Sequence, residues 1–87
     1  MKKIGILGST GSIGTQALKI IKMHNDYKVE YLSCFSQIDE MIEQTKKNHP
    51  KKVCVIDKTK ESLLIEKLKG ENVEILSGFE GLIEIAK

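Results

Sequence analysis

The residues that most constrain the fold of this 87-residue chain are 8–14, Gly-Ser-Thr-Gly-Ser-Ile-Gly, which we call the glycine loop. They follow a short apolar run, residues 4–7, which is typical of a buried strand. After them, apolar residues recur at helical spacing and predict one shared face, formed by Ile13, Ala17, Ile20 and Ile21. A strand, a glycine-rich turn and a helix in this order form the context that a phosphate-binding loop requires.

The glycines of the loop lie at the spacing G-x-x-G-x-x-G. Gly8 allows the chain to leave the strand in a tight turn, because a residue without Cβ adopts positive φ at little cost. Gly11 is predicted to let the backbone approach a pyrophosphate, and Gly14 to let the helix pack closely on the sheet. The free N–H groups and positive dipole end of the helix would then face the anion.

Three residues of the loop have hydroxyl side chains: Ser9, Thr10 and Ser12. Each can donate a hydrogen bond to a phosphate, and each is a candidate cap for the helix. The pattern favours nucleotide binding over its alternative, a structural turn that holds no ligand.

Apolar runs alternate with helical patterns along the whole chain, at residues 4–7, 27–34, 53–56 and 73–76. We therefore predict one small α/β domain over residues 1–87, a Rossmann-like parallel sheet of about four strands with flanking helices. The run at 53–56 is expected to be buried on both faces, and the run at 73–76 to be an edge strand.

The later helical patterns also predict buried faces. A turn is expected at residues 25–26, and residues 36–39, Ser-Gln-Ile-Asp, match a looser form of the capping box at a helix start. Further helices are expected over residues 59–68 and from Gly78 onwards. The residues expected to face inward are Ile38, Met41, Ile42, Thr45, Leu63, Leu64, Leu68, Leu82, Ile83 and Ala86.

Composition argues against several classes of function. All 14 basic residues are lysine and are interspersed with 12 acids, for a net charge of +2, so no basic stripe indicates nucleic acid. No apolar stretch approaches the roughly 20 residues of a membrane span. Cys34 and Cys54 form no C-x-x-C pair and are expected to be free, buried thiols, which fits a reducing cytoplasm.

No catalytic or metal-binding group is predicted in this chain. His24 and His49 fall near the ends of helical patterns, where they are expected to contact the helix dipole or water. Asp57, Glu80 and Glu84 are scattered acids, expected on a solvated surface rather than in a paired-carboxylate site.

Residues 3–16, Lys-Ile-Gly-Ile-Leu-Gly-Ser-Thr-Gly-Ser-Ile-Gly-Thr-Gln, resemble the opening of deoxyxylulose-phosphate reductoisomerase, an NADPH-dependent family of the non-mevalonate isoprenoid pathway. Similar pieces follow in the family's order, among them the break at residues 49–50 and the stretches 53–57 and 73–78. The resemblance covers essentially the whole chain. It implies the N-terminal part of an NADPH-binding domain, since proteins of the family are several times longer.

The resemblance also implies which residues bind the cofactor. The family holds the cofactor's phosphates with the backbone and hydroxyls of its glycine loop and contacts the adenosine after the second strand. Carried over, the site comprises Gly8, Thr10, Gly11, Ser12, Ile13, Gly14, Ser36 and Gln37. The full-length family enzyme uses NADPH and a divalent metal, Mg or Mn, to convert 1-deoxy-D-xylulose 5-phosphate to 2-C-methyl-D-erythritol 4-phosphate. The catalytic and metal-binding residues lie beyond residue 87, so this chain is expected to be inactive alone.

The chain departs from the family after its second strand. The family usually has Ala-Gly, a basic or polar residue and Asn there, contacting the 2′-phosphate, whereas residues 34–37 are Cys-Phe-Ser-Gln. The acid that selects NAD in related folds is also missing from residues 33–37, so NADP is not excluded. With no cation at Ser36, we expect a weaker preference for NADPH over NADH than the family motif implies. Ser36 can equally serve only as a helix cap.

Two alternatives stay open from the sequence. One is a free-standing, non-catalytic nucleotide-binding or structural module, and the other is a different Rossmann-type oxidoreductase, such as one acting on nucleotide sugars. In the family, a further strand pairs with the run at residues 4–7. Without that strand the run exposes unpaired backbone groups, so we expect the chain either to self-associate through it or to be only marginally folded.

Overall fold

A computed structural model of the chain describes residues 2–23 and 26–85, and for Ser12 only the backbone. Some residues with expectations from the sequence lie outside the described ones: His24, Asn25 and Ala86. In chain order the elements are β1 (Lys2–Ile6), α1 (Ser12–Lys22), β2 (Tyr27–Cys34), α2 (Ile38–Asn48), β3 (Lys52–Val55), a 3₁₀ turn (Lys58–Lys60), α3 (Glu61–Lys67), β4 (Glu74–Ser77) and α4 (Gly78–Ile85).

The strands form one parallel sheet in the order β1-β2-β3-β4. This confirms the predicted Rossmann-like α/β fold, with helices as the connections between parallel strands. The edge position predicted for β4 is confirmed, and β1 forms the opposite edge of the described sheet. The register of β1 runs from Lys2 opposite Tyr27 to Ile6 opposite Leu32, with a shift between Ile4 and Gly5.

The core lies on both faces of β3, as predicted. Val53, Cys54 and Val55 are all 0% exposed. Val53 and Val55 belong to the same apolar cluster as Leu64 of α3. Cys54 faces α4 instead, where its Sγ lies 3.7 Å from the carbonyl oxygen of Gly78. Because β3 has a strand on each side and helices on each face, its side chains are shielded from solvent.

Most inward-facing residues of α2 and α3 were predicted correctly. Those found buried or half-buried are Ile38, Met41, Ile42, Thr45, Leu64 and Leu68. Leu63, however, is 41% exposed, and in α4 Ile83 is 65% exposed while Gly81 and Ile85 are buried and Leu82 is half-buried. Neighbouring residues on a helix point about 100° apart. The apolar residues of a short helix therefore cannot all lie on the one face that packs against the core.

The face predicted for α1 is only partly correct. Leu18 is 7% exposed, and Ala17 and Ile21 are half-buried against the core. Ile13 and Ile20 are instead 83% and 59% exposed. They lie on the side of α1 that extends past the edge strand β1, where the described sheet has no further strand.

The capping box predicted at residues 36–39 is wrong. The N-cap of α2 is Gln37, whose side chain does not cap the helix, and Ser36 lies one residue outside it. The carbonyl of Ser36 accepts the N–H of Ile38 at 2.8 Å. The expected place of His49 at a helix end is confirmed, since it is the C-cap of α2 in a left-handed conformation with φ of 50°.

Candidate functional site

The glycine loop joins β1 to α1 at the carboxyl edge of the sheet. Gly8 has a φ of 69°, in the left-handed region that glycine adopts at little cost, as its predicted role requires. Its carbonyl accepts the N–H of Gly11 at 3.1 Å, which closes the turn. Gly11 is the N-cap of α1, so the turn leads directly into the helix.

Gly11 and Gly14 are small for different reasons. Gly14 is buried, and a Cβ there would overlap the carbonyl oxygen of Gly8 and lie 2.7 Å from the Cα of Ser9. The close packing predicted for Gly14 is therefore against the backbone of the loop rather than the sheet. A Cβ on Gly11 would meet the Gly8 oxygen only at 3.4 Å, so Gly11 leaves space open beside the start of α1.

The first turn of α1 has the properties of an anion site. The N–H of Thr15 donates to the carbonyl of Gly11 at 2.8 Å, and the N–H groups of residues 12–14 precede this first helical bond. The first turn carries no acidic residue, so its positive dipole end is not neutralised. Of the three candidate caps, Ser9 and Thr10 do not cap the helix, and the side chain of Ser12 lies outside the described part of the structure.

A polar cluster beneath the loop fixes its position. Ser9 is 0% exposed, and its N–H and its hydroxyl donate to the carbonyl of Ser33 at 2.7 and 3.3 Å. The hydroxyl of Ser33 accepts the N–H of Gly8 at 3.0 Å. From α2, the amide nitrogen of Gln44 donates to the carbonyl of Ser9 at 2.8 Å. The Ser9 hydroxyl, expected to face a phosphate, therefore points into the protein.

Neither Ser33 nor Gln44 was predicted from the sequence. Ser33 carried a usable signal, because it is a polar residue near the carboxyl end of a strand otherwise expected to be buried there. Gln44 carried none, since its contact with the loop depends on how α2 packs beside β2.

The loop after β2 lies against the glycine loop. The hydroxyl of Thr10 donates to Oε1 of Gln37 at 3.4 Å, and the N–H of Ser36 donates to the same oxygen at 3.4 Å. The fold thus brings together residues that are separated by more than 20 positions in the sequence. The glycine loop and the loop after β2 form one continuous polar surface.

A groove of about 920 Å³ continues from the glycine loop along the free side of β1. The residues of the loop that line it are Gly8, Gly11, Ile13 and Gly14. Beyond them the groove is apolar, with Leu7 57% and Ile20 59% exposed. A polar, anion-attracting end and an apolar wall therefore meet in one open surface.

The acids considered in the sequence have local structural roles. Asp57 accepts hydrogen bonds from the N–H and the hydroxyl of Thr59 at 3.0 and 2.6 Å, which lower the pKa of its carboxyl. Glu80 pairs with Lys58 at 3.2 Å. Within residues 2–23 and 26–85, no three His, Cys, Asp or Glu side chains converge as metal ligands would.

Both cysteines are free and buried, as predicted. Burial raises the pKa of the Cys34 thiol to about 11, with a smaller contribution from Cys54 nearby. Burial also raises the pKa of Cys54. Both thiols are therefore protonated near neutral pH and have little nucleophilic character.

Comparison with known sequences agrees with the resemblance noted in the motif. Residues 4–87 match the family model described as 1-deoxy-D-xylulose 5-phosphate reductoisomerase. The enzyme of that name from Chloroherpeton thalassium is 44% identical over 88 residues, which are 100% of this chain and 23% of that protein. The enzyme from Thermoanaerobacter pseudethanolicus is 46% identical over 88 residues, with the same coverage of both chains.

Solved structures agree with the sequence comparison. The 1-deoxy-D-xylulose 5-phosphate reductoisomerase from Zymomonas mobilis, in complex with NADPH, matches with a TM-score of 0.94 at 29% identity. The match covers 98% of this chain and 23% of that one. A DOX-P reductoisomerase in complex with NADPH, fosmidomycin and magnesium also matches, with a TM-score of 0.94 at 40% identity, over 99% of this chain and 22% of that one. The chain thus spans less than a quarter of the length of these relatives.

Proposed function

The chain belongs to the 1-deoxy-D-xylulose 5-phosphate reductoisomerase family, and on that premise we propose that residues 1–87 are the N-terminal part of its NADPH-binding domain. The observation that carries the proposal is the geometry of the glycine loop. Gly8 turns the chain, Gly11 leaves space for a phosphate, and the uncapped first turn of α1 presents its N–H groups beside that space. A relative with this fold is bound to NADPH.

The loop residues divide the work of holding the pyrophosphate. Gly8 and Gly14 set the shape of the backbone, and the N–H groups of residues 12 and 13, which precede the first helical hydrogen bond, donate to the phosphate oxygens. Thr10 and Ser12 add hydroxyl donors. Ser36 and Gln37 lie next to Thr10, where the adenosine end of a dinucleotide would follow.

When bound, NADPH supplies a hydride to the substrate of the enzyme. This chain's own residues bind and orient the nucleotide, and we assign none of them a catalytic role. The conversion of 1-deoxy-D-xylulose 5-phosphate to 2-C-methyl-D-erythritol 4-phosphate, with its divalent metal, is proposed for the complete family protein. The present residues alone are proposed to be inactive, because they span less than a quarter of the complete family protein.

The cellular compartment proposed for the chain rests on its thiols, and the self-association proposed for it rests on the edge of its sheet. Free, buried cysteines favour the cytoplasm. None of the described helices is both long and apolar enough to cross a membrane. Self-association through β1 is proposed because that strand is an edge of the sheet and adjoins exposed apolar side chains.

Gly11→Val tests the role of the loop. The branched side chain would occupy the space beside the start of α1, so we expect calorimetric titration to detect no NADPH binding. The helical circular dichroism of the variant should equal that of the parent, because a Cβ at Gly11 meets only an ordinary contact. The contrasting variant Gly14→Val should lose both binding and structure. If Gly11→Val bound NADPH as tightly as the parent, the loop would be a structural turn and the proposed nucleotide-binding function would fail.

A further inference from the structure

The fold brings a cation to the loop after β2, where the sequence offers none. A groove of about 320 Å³ opens between the first turn of α2 and the beginning of α3. Ser36 and Gln37 line one side, and Lys60, which is more than 20 residues away in sequence, lines the other. Lys60 immediately precedes α3, as its N-cap.

Hydrogen bonds of the backbone hold Lys60 in this place. The N–H of Asp57, just after β3, donates to the carbonyl of Phe35 at 2.8 Å and ties the two loops together. The carbonyl of Asp57 accepts the N–H of Lys60 at 3.0 Å, and its carboxylate accepts the N–H of Thr59 at 3.0 Å. The turn is therefore fixed at both ends, and the Lys60 side chain begins from a defined position across the groove from Ser36.

The neighbouring lysine is engaged elsewhere. Lys58, in the same 3₁₀ turn, forms an ion pair with Glu80 of α4 at 3.2 Å. Among the ion pairs of the described residues, Lys60 takes part in none, and it is exposed. Of the two lysines, Lys60 is thus the one that no ion pair of the described residues holds, although its charge also helps to lower the pKa of the nearby Asp57 carboxyl.

The other charges near the groove are acidic and would oppose an anion. Asp39 and Glu40 line the groove from the first turn of α2, where the helix dipole stabilises them, and Asp57 lies close to Lys60. Lys60 is the only cation among the residues that line the groove. Among the lining side chains, Lys60 is therefore the one whose charge attracts a phosphate monoester.

We propose that Lys60 determines cofactor specificity in this chain, by supplying the cation that binds the 2′-phosphate of NADPH. Dinucleotide folds that use NADP place a cation near the 2′-phosphate, most often an arginine close to the end of the second strand. Here Lys60 fills that role from the start of α3, with neutral hydrogen bonds from Ser36 and Gln37. The inference rests on the proposed NADPH-binding function and extends it to the choice between NADPH and NADH.

Calorimetric titration of the full chain with NADPH and with NADH tests this inference. Lys60→Ala should weaken NADPH binding about fivefold, as expected for an exposed charge pair, and leave NADH binding unchanged. Lys60→Glu should weaken NADPH binding further, again without an effect on NADH. Lys58→Ala is the matched control and should change neither affinity. The effect of Lys60→Ala should diminish as salt screens the charge.

The outcomes separate this inference from the function on which it rests. If the parent binds NADPH but the Lys60 variants lose both cofactors equally, or lose neither, the inference is overturned and the proposed function stands. If the parent binds neither nucleotide, the proposed function fails and the inference fails with it.

Discussion

β1 and β3 are both short apolar strands followed by helical segments, but their surroundings differ. In β3, Val53 to Val55 are completely buried, because β3 has a neighbouring strand on each side and helices on each face. In β1, Ile4 and Gly5 are only half-buried, and Leu7, just beyond the strand, is 57% exposed. An apolar run therefore predicts a strand, whereas the order of strands in the sheet decides how fully the strand is covered.

The helices differ in the same way. The apolar stripe of α2 is buried, with Met41 at 0% exposure, whereas Ile13 and Ile20 of α1 face outward. The exposed side of β1 and α1 includes the glycine loop. A loop that binds phosphate through free N–H groups must stay open, so incomplete packing here is compatible with binding.

Shortening one apolar side chain in the core and one beside β1 should give the largest difference, measured as the loss of unfolding free energy. Leu64→Ala removes a side chain that is 0% exposed, and should lower the free energy of unfolding by about 3 kcal/mol. Ile20→Ala removes one that is 59% exposed, and should lower it by at most about 0.5 kcal/mol. Denaturant unfolding of both variants measures the difference. Equal losses would show that the groove along β1 is filled in solution.

A charge placed beside the free edge should have a smaller effect, on association rather than folding. Leu7→Lys puts a cation next to β1, and should weaken self-association of the chain about tenfold, or roughly 1.4 kcal/mol. Leu63→Lys, on the exposed side of α3, is the control and should leave association unchanged. Sedimentation velocity over a concentration series gives both values. If the parent chain stayed monomeric at every concentration, the edge of β1 would not be a contact surface between copies of the chain.

Local patterns in the sequence were sufficient to predict the turn of the glycine loop and the order of the strands and helices. The positive φ of Gly8 and the start of α1 directly after Gly11 follow from residues that are adjacent in the chain. The buried strand β3 follows from its own apolar run, which no polar residue interrupts.

Contacts between distant segments could not be predicted. The bond from Gln44 to Ser9 and the position of Lys60 beside Ser36 depend on how α2 and α3 pack, which no short motif encodes. The exposure of Ile20 depends on the sheet having its edge at β1. Sequence periodicity identifies an apolar face but not what covers it.

The central claim is that the glycine loop, on the open side of the molecule, binds the nucleotide. Backbone amide ¹H–¹⁵N chemical shifts, recorded while NADPH is added to the full chain, test it most directly. We expect the largest changes at residues 8–14, smaller ones at residues 36–37, and almost none in β3. Saturating changes confined to a second groove, between Lys19 and Lys22 of α1 and Lys47 of α2, with residues 8–14 unaffected, would contradict the claim.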